Sequence, residues 1–570
     1  MSNVKTATSH PRGLYVLFFT EMWERFGYYL MLGIFSLYMI DSADNGGMGF
    51  DAAKKSDIYG TYLGLVYLTP FLGGLLADRI LGYRKSIIIG AILMAAGYFG
   101  LAMPGETTFY IALLLIIVGN GFFKPNISTL VGNLYNKAEY QHMKDAGYNI
   151  FYMGINIGAF ICNFVAAYMR INYGWGYAFA AAGVGMIIGL IWFLNGMKHV
   201  KDVDIIKPTT KEDMPLGRII ATVFVPVFAF GILGWMIPGN IFGTDGNDAF
   251  LIGCLPVVIY YISLWWRASK EDKSPIAALL TVMACVVVFW AIFHQNGDAL
   301  TVWAEEYTDR APSPAISNAA ANFDLAQTVN YHESVNYPPD QFEDYKNQLV
   351  ARRDSLKAAG NLDAAKILSD EITIRTTSHD YFQNLPEQKR PAQGADLKLV
   401  SAELFQSINP FWVIVLTPLV VGIFGFLRRR NQEPSTPAKI AIGLLITALS
   451  AFVMVAAAKS IDSATDKASA LWLWASYGVI TIGELCLSPM GLSLVSKLSP
   501  PRLTSLMMGG WFLSVSIGNK LSGILSGLWE QYPDKSDFFL TNFFIVIVPA
   551  IALFLLLKWL NRVMREKGVS

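Results

Sequence analysis

Charge is what this sequence has least of. Asp, Glu, Lys and Arg make up 15% of its 570 residues, against roughly 25% in an average soluble domain. What charge there is nearly cancels. The formal net charge of +1 excludes polyanion binding by bulk electrostatics, and with it nucleic acid as a partner. Cysteine is equally scarce. Cys162, Cys254, Cys285 and Cys486 all fall inside apolar runs without metal-ligand spacing, so they read as small buried hydrophobes and not as disulfides or a metal centre. No cofactor is expected. The start, Met-Ser-Asn-Val-Lys, is polar, and the first apolar run is too long for the core of a secretory leader.

What is present is apolar length. Hydrophobic residues make up 54% of the chain, in runs of about twenty, the length that crosses a bilayer as helix. Candidate spans are 14–40, 57–78, 86–103, 108–133, 147–169, 177–197, 217–237, 249–266, 275–297, 408–427, 438–458, 469–496, 504–528 and 538–560. These fourteen predict an all-α membrane protein. With the N-terminus inside, Lys and Arg concentrate in the inner segments: Arg79, Arg84, Lys85, the 198–218 stretch, Arg428, Arg429, Arg430 and the tail from Lys558. That bias follows the positive-inside rule and puts both termini in the cytoplasm.

The polar breaks divide the chain. Residues 1–197 hold six spans, 198–216 form a charged cytoplasmic linker, and 217–266 hold a pair of spans without charge at membrane depth. Residues 267–570 hold six more, interrupted by a polar, extracytoplasmic stretch at 299–407. Within it, Asp340 to Ile374 reads as a short helical hairpin, carrying Phe342, Tyr345, Leu349, Leu356, Ile367, Leu368 and Ile372. Tyr331 to Pro339 reads as loop. The stretch carries no metal, nucleophile or phosphate motif; His332 and His379 are isolated, and its partner, if it has one, is unknown. Two six-span sets joined by a linker place a binding site between them, near the membrane midplane.

The first span poses the chemical question. Glu21, Glu24, Arg25 and Tyr28 are spaced to share one helix face, although charge at bilayer depth costs a few kcal/mol per group. A single ion pair could serve packing alone. The companions argue otherwise: Lys124, His294, Asp298, Glu484 and Lys520 also sit in apolar runs. Groups of both signs on separate spans describe a polar cavity with a proton relay.

Glu21-x-x-Glu24-Arg25-Phe26-x-Tyr28-Tyr29 resembles the signature of the proton-dependent oligopeptide transporter family, within the major facilitator superfamily. Six further stretches resemble that family in order. They are Tyr67 to Asp78 with Leu81-Gly82, Phe122 to Asn126, Phe151 to Gly158, Ser407 to Pro410, Gly483 to Gly491, and Met508 to Leu513 with Gly518-Asn519. The pair at 217–266 resembles the extra helices of bacterial members. The resemblance implies the major facilitator fold, two six-helix bundles plus two helices, in a cell (inner) membrane. It implies a non-enzymatic, proton-coupled symporter importing di- and tripeptides. Glu21, Glu24, Arg25 and Lys124 would serve proton coupling. Arg25 and Lys124 would attract a peptide's carboxylate, and Asn156, Asn409 and Glu484 its amino terminus. Tyr28, Tyr29, Tyr67, Tyr152, Trp511 and Phe512 would line side-chain pockets. Asp78 and Arg84 would latch the inner loop after the second span. Pro70, Pro125, Pro410 and Pro489 are candidate helix breaks at the cavity.

Three departures stand out. The family commonly has an arginine where this chain has Leu32, and a glutamate where it has His294; those positions are thought to pair at the outer gate. The outer stretch is also far longer than usual. A gate of Leu32 and His294 is expected to respond to pH, since an unperturbed imidazole titrates near about 6.5. On the same fold, the alternatives are symport of nitrate or of a modified peptide. A membrane transferase lacks donor-binding loops here, and a receptor with a ligand-binding outer segment is the remaining class.

Overall fold

The computed structural model describes residues 9–137, 139–205, 216–331, 339–362, 364–366, 368, 380–382, 384–392, 394–462, 466–500 and 503–567. Long helices dominate them because a segment in hydrocarbon must pair every backbone N–H within itself. The first six are α1 (Arg12–Ile40), α2 (Ala52–Leu76, extended by a π turn to Leu81), α3 (Tyr83–Leu101), α4 (Glu106–Leu134), α5 (Lys144–Tyr173) and α6 (Trp175–Gly196). Next come α7 (Leu216–Ile219), α8 (Val225–Trp235), α9 (Asp245–Arg267), α10 (Lys270–Phe293) and α11 (Ala299–Glu306). The polar stretch holds α12 (Pro314–Asn322) and α13 (Pro339–Ala358). The last five are α14 (Ile408–Arg429), α15 (Thr436–Lys459), α16 (Ala470–Leu498), α17 (Thr504–Gly527) and α18 (Lys535–Glu566). Polar caps set several starts: Asp51 accepts from the Lys54 amide at 2.8 Å, satisfying one of the donors a helix leaves open.

Among the described residues, eleven helices are long and apolar enough to cross a membrane. Two others are as long but less apolar: α1, interrupted by Glu21, Glu24 and Arg25, and α17, rich in Gly and Ser. Helices α1–α6 pack on one another, as do α10 and α14–α18. Helices α8 and α9 pack together, and α9 also touches α2, α10 and α17.

The seventh core span runs further than expected. After a 3-10 turn at His294–Gly297 the chain resumes helix as α11, buried from Ala299 to Ala304. The polar His-Gln-Asn-Gly-Asp run reads as an end, but the apolar residues after it carry the span on to Glu306. Ala402–Ser407 likewise forms a 3-10 turn leading into α14, buried at Ala402, Glu403, Phe405 and Ser407. The stretch outside the bundles therefore lies between residues 307 and 401. It has a small core of Val329, Tyr331, Tyr381, Phe382, Leu385 and Leu399, and strands β1 (Ala326–Asn330) and β2 (Asp396–Val400) pair antiparallel, Ala326 facing Val400. The first arm of the expected hairpin is α13. Gly360, at φ +76°, turns the chain, and Leu362 and residues 364–366 are helical again. The loop at 332–338, Ile367, Ile372, His332 and His379 lie outside the described residues.

This stretch docks on the second bundle through a buried cluster. Arg310 pairs with Glu305 at 2.7 Å and donates to the Val400 carbonyl at 3.2 Å. The ring of Tyr381 lies between two cations, Arg310 at 5.4 Å and Lys467 at 4.4 Å. Lys467, from the loop between α15 and α16, also donates to the Glu306 carbonyl. The end of the molecule that carries this stretch is its insertion side.

Prolines do not break the spans. Helices α2, α4 and α16 run through Pro70, Pro125 and Pro489, and Pro410 falls in the first turn of α14. A proline deletes one backbone hydrogen bond, and close-packed neighbouring helices hold the remainder of the ladder.

Candidate functional site

A cavity of about 330 Å³ lies between the two bundles. The first bundle lines it with Glu21, Arg25, Tyr29, Leu32, Tyr67, Lys124, Tyr152 and Asn156. The second contributes His294, Asn409, Glu484, Trp511 and Phe512. Thirteen of the candidate site residues thus converge from seven helices and the 3-10 turn after α10, although they span nearly five hundred positions. Four do not reach the cavity: Glu24, Tyr28, Asp78 and Arg84.

The two signature carboxylates are not equivalent. Glu24 is fully buried and grips Arg25 with both oxygens, Oε1 accepting from Nη2 at 2.7 Å and Oε2 from Nε. Asn120 adds a donor to Oε1 at 3.4 Å. Glu21 meets Arg25 with Oε1 at 3.2 Å, while its Oε2 is buried without a partner among the described residues. The guanidinium fork thus engages both oxygens of Glu24, whereas Glu21 is held through one. Tyr28 was expected in a side-chain pocket. Three residues beyond Arg25, it lies beneath that guanidinium, 5.0 Å from carbon to ring centroid, and is shut off from the cavity. Lys124 sits over the Tyr67 ring at 3.8 Å.

The opposite wall is acidic. Glu484 Oε2 accepts from Asn409 Nδ2 at 3.4 Å, and the same amide donates to Thr481 at 2.9 Å. Asn156 donates to the Tyr152 carbonyl at 3.0 Å, so its hydrogen bond closes within α5. Ser488 Oγ, also in the lining, is buried without a partner. Among the described residues, no group of three His, Cys, Asp or Glu side chains could hold a metal ion.

The loop after α2 carries Asp78 and Arg84, the expected latch residues. Arg84 bonds to Asp204, beyond α6, at 2.7 Å, and Asp78 accepts from the Tyr83 hydroxyl at 2.6 Å. The Arg84 contact ties the loop to the linker, and the Asp78 contact joins the end of α2 to the start of α3.

Contacts that join the bundles cluster on the insertion side. Lys55 of α2 pairs with Asp298, just before α11, and Asp298 also accepts from Ser36 of α1 at 3.3 Å. Lys520 of α17 pairs with Asp57 and donates to Thr61 at 2.5 Å, both on α2. Arg170 of α5 clasps Glu403 at 2.7 and 3.0 Å. The Tyr59 hydroxyl reaches the His294 carbonyl at 3.1 Å. Near the Asp57–Lys520 pair α2 and α17 touch at Gly60 and Gly523, where an added Cβ on Gly523 would stand 2.4 Å from the Ser56 carbonyl oxygen. Leu32 and His294 lie deeper, in the cavity wall; His294 stacks on Trp290 at 5.4 Å, and its Nε2 has no partner. Asp298 and Lys520 stood out as charges in apolar runs, but Lys55, Asp57, Arg170 and Glu403 sit at span ends, where charge attracts no notice.

Comparison with known proteins agrees with the site. The POT family model matches residues 84–321 and 395–542. YclF, named as an uncharacterised transporter of Bacillus subtilis, is 31% identical over 551 residues, covering 96% of this chain and 94% of its own. A di-/tripeptide transporter of Lactococcus lactis is 29% identical, covering 96% of both chains. A solved structure of a mutant peptide transporter POT in complex with sulfate superposes with a TM-score of 0.74 at 27% identity, covering 98% of this chain and 97% of that one. A family match over most of the chain, together with a relative this similar along nearly its whole length, settles the placement: the chain belongs to the POT family and has the major facilitator fold.

Proposed function

We propose that this chain is a proton-coupled symporter carrying di- and tripeptides inward across a cell membrane by alternating access. It is a transporter and not an enzyme. One observation carries the reading: a single cavity has Arg25 and Lys124 on the wall of one bundle and Glu484 on the wall of the other. A zwitterionic peptide fits that polarity, its carboxylate toward the cations and its amino terminus toward Glu484. A simple anion such as nitrate would leave Glu484 buried without a cation, which the cavity's second wall argues against. The names of the Lactococcus relative and of the superposed structure support a peptide substrate.

Glu21 is the proton acceptor in this reading, and Glu24 is the fixed partner that keeps Arg25 in place. Tyr29, Tyr67, Tyr152, Trp511 and Phe512 shape the side-chain pockets, with Asn156 and Asn409 beside the amino terminus. The insertion side is extracytoplasmic and both termini are cytoplasmic, in the inner membrane of a cell with an acid-outside gradient. Fourteen spans are divided as 1–197, the 198–216 linker, the 217–266 pair and 267–570. Lys55–Asp298, Asp57–Lys520 and Arg170–Glu403 close the outer side, so the gate comprises ion pairs one level above Leu32 and His294.

The test is uptake of a labelled dipeptide into proteoliposomes. Accumulation with an acidic exterior, abolished by a protonophore, is expected. Binding without flux would mean a receptor, and protonophore-insensitive accumulation would remove the proton from the mechanism.

A further inference from the structure

The 307–401 stretch carries one surface that its own fold leaves bare. Helix α12 contains no charged residue. Its Ala315, Ile316 and Ala319, with Phe323 just beyond its end, share a helix face, and all four are exposed, Ile316 at 52% and Phe323 at 74%. The other side is polar: Ser317 is buried, and the exposed Asn318 accepts from Lys398 of β2 at 3.3 Å. A solvated surface would put polar groups where this apolar stripe lies.

Its position identifies what covers it. Strand β1 begins three residues beyond Phe323 and touches α5, near whose end Tyr168 lies. Tyr168, Tyr173 and Tyr177 form an exposed chain of rings there, with centroids 6.2 and 5.6 Å apart. Exposed tyrosines at the end of a spanning helix mark the membrane boundary, where an apolar ring body and a polar tip are both satisfied. The apolar stripe thus stands beside that belt, at the edge of the bilayer.

We propose that α12 is an interfacial helix that rests on the outer-leaflet lipids through Ala315, Ile316, Ala319 and Phe323. The inference depends on the membrane placement of α5 and not on the substrate, so failure of the transport reading would leave it intact. The lipid contact and the Arg310–Tyr381–Lys467 cluster hold the insertion at two ends, one on the membrane and one on the second bundle. An uncharged stripe of this kind reads acyl chains and headgroup depth, without preference for lipid charge.

The experiment places a cysteine at Phe323, and separately at Ile316, labels it with an environment-sensitive fluorophore, and reconstitutes the full chain in vesicles of neutral phospholipid. The unmutated chain, labelled in parallel, supplies the blank for the four native cysteines. Leu362→Cys, exposed elsewhere on the insertion, is the solvated control. Lipids brominated at shallow acyl positions should quench the probe at 323 and 316 with blue-shifted emission, as for a depth of about 5–10 Å below the headgroups. The control should show neither effect. Water-like emission at 323 and 316 would overturn the proposal. So would a dry probe that brominated lipid fails to quench, because a protein would then cover the stripe. Both side chains are exposed, so truncating them removes little packing, and an unchanged elution profile of the labelled variants verifies the fold.

Discussion

Replacing Lys55 by methionine isolates the electrostatic part of closure. Lys55 is 2% exposed and Asp298 is fully buried; they belong to opposite bundles, and Asp298 Oδ2 has no partner of its own among the described residues. Methionine keeps much of the volume and removes the ammonium. In the closed arrangement Asp298 would retain only Ser36 as a donor. Breaking a buried pair by removing one partner costs about 3–5 kcal/mol. Opening the insertion side relieves that cost by admitting water to Asp298. The equilibrium should therefore shift toward the open form by roughly 10²- to several 10³-fold. Spin labels at the exposed Asn45 and Gln531, on the insertion-side ends of the two bundles, would report it as a new long-distance population. The second half of the test is Lys55→Met with Asp298→Leu. With neither charge left, the penalty disappears, and the distance distribution should return most of the way to closed. If Lys55→Met leaves the distribution unchanged, the pair does not hold the bundles together. If the double variant stays as open as the single one, packing and not charge explains the effect.

The other predictions concern the cavity and the insertion. Glu21→Gln should abolish pH-driven accumulation while sparing counterflow, which needs no net proton movement; Glu24→Gln should lose both, because it frees Arg25. Equal behaviour of the two variants in counterflow would refute the division of roles. Glu484→Gln should weaken peptides with a free amino terminus at least about tenfold, since a charge-assisted contact contributes roughly 1.5–3 kcal/mol, and should leave amino-blocked peptides little changed in competition assays. Lys467, outside the spans, has its amine pushed down from 10.5 to about 7, first by burial and then by Arg310. The folded chain then binds fewer protons than the unfolded one between about pH 7 and 10.5, so stability should rise with pH across that window by up to about 1.4 kcal/mol per unit. Lys467→Met should flatten that slope in thermal unfolding followed from pH 7 to 10; an unaltered slope would assign it to another group.

Local features were legible in the sequence and long-range pairings were not. Apolar run length revealed most spans, because the bilayer fixes how many residues a helix needs. The family motifs located the cavity wall from Glu21 to Phe512. Tyr28 shows the limit of spacing: sharing a face with Glu21 and Arg25 put it beneath Arg25, not beside the ligand space. The end of the seventh span was misplaced because a polar 3-10 turn resembles a loop when read alone, and only packing shows that Ala299 to Ala304 continue inward. The pairs joining the bundles were out of reach for another reason. Lys55 and Asp298 are 243 residues apart, and Asp57 and Lys520 are 463 apart. No periodicity connects positions so distant, and each charge at a span end has the ordinary explanation of a solvated terminus.

A steric test separates shape from charge at the same closure. Gly60 and Gly523 let α2 and α17 approach backbone to backbone, about one helical turn from the Asp57–Lys520 pair. An added Cβ on Gly523 would lie 2.4 Å from the Ser56 carbonyl oxygen and 2.7 Å from the Gly60 Cα, inside van der Waals contact with main chain that no rotamer change can relieve. Gly523→Val must therefore part the two helices or break the local fold. Parting them stretches the Lys55–Asp298 and Asp57–Lys520 pairs together, because both bridge the first turns of α2 to the second bundle. The expected variant is trapped open on the insertion side: labels at Asn45 and Gln531 stay far apart, peptide binds from that side, and release to the other side stops. Unlike Lys55→Met, it should not be rescued by Asp298→Leu, since the obstruction is volume. A helix that tolerates valine with normal transport would show that Gly60 and Gly523 are not the contact on which closure depends. Rescue by Asp298→Leu would show that charge, not backbone approach, limits it.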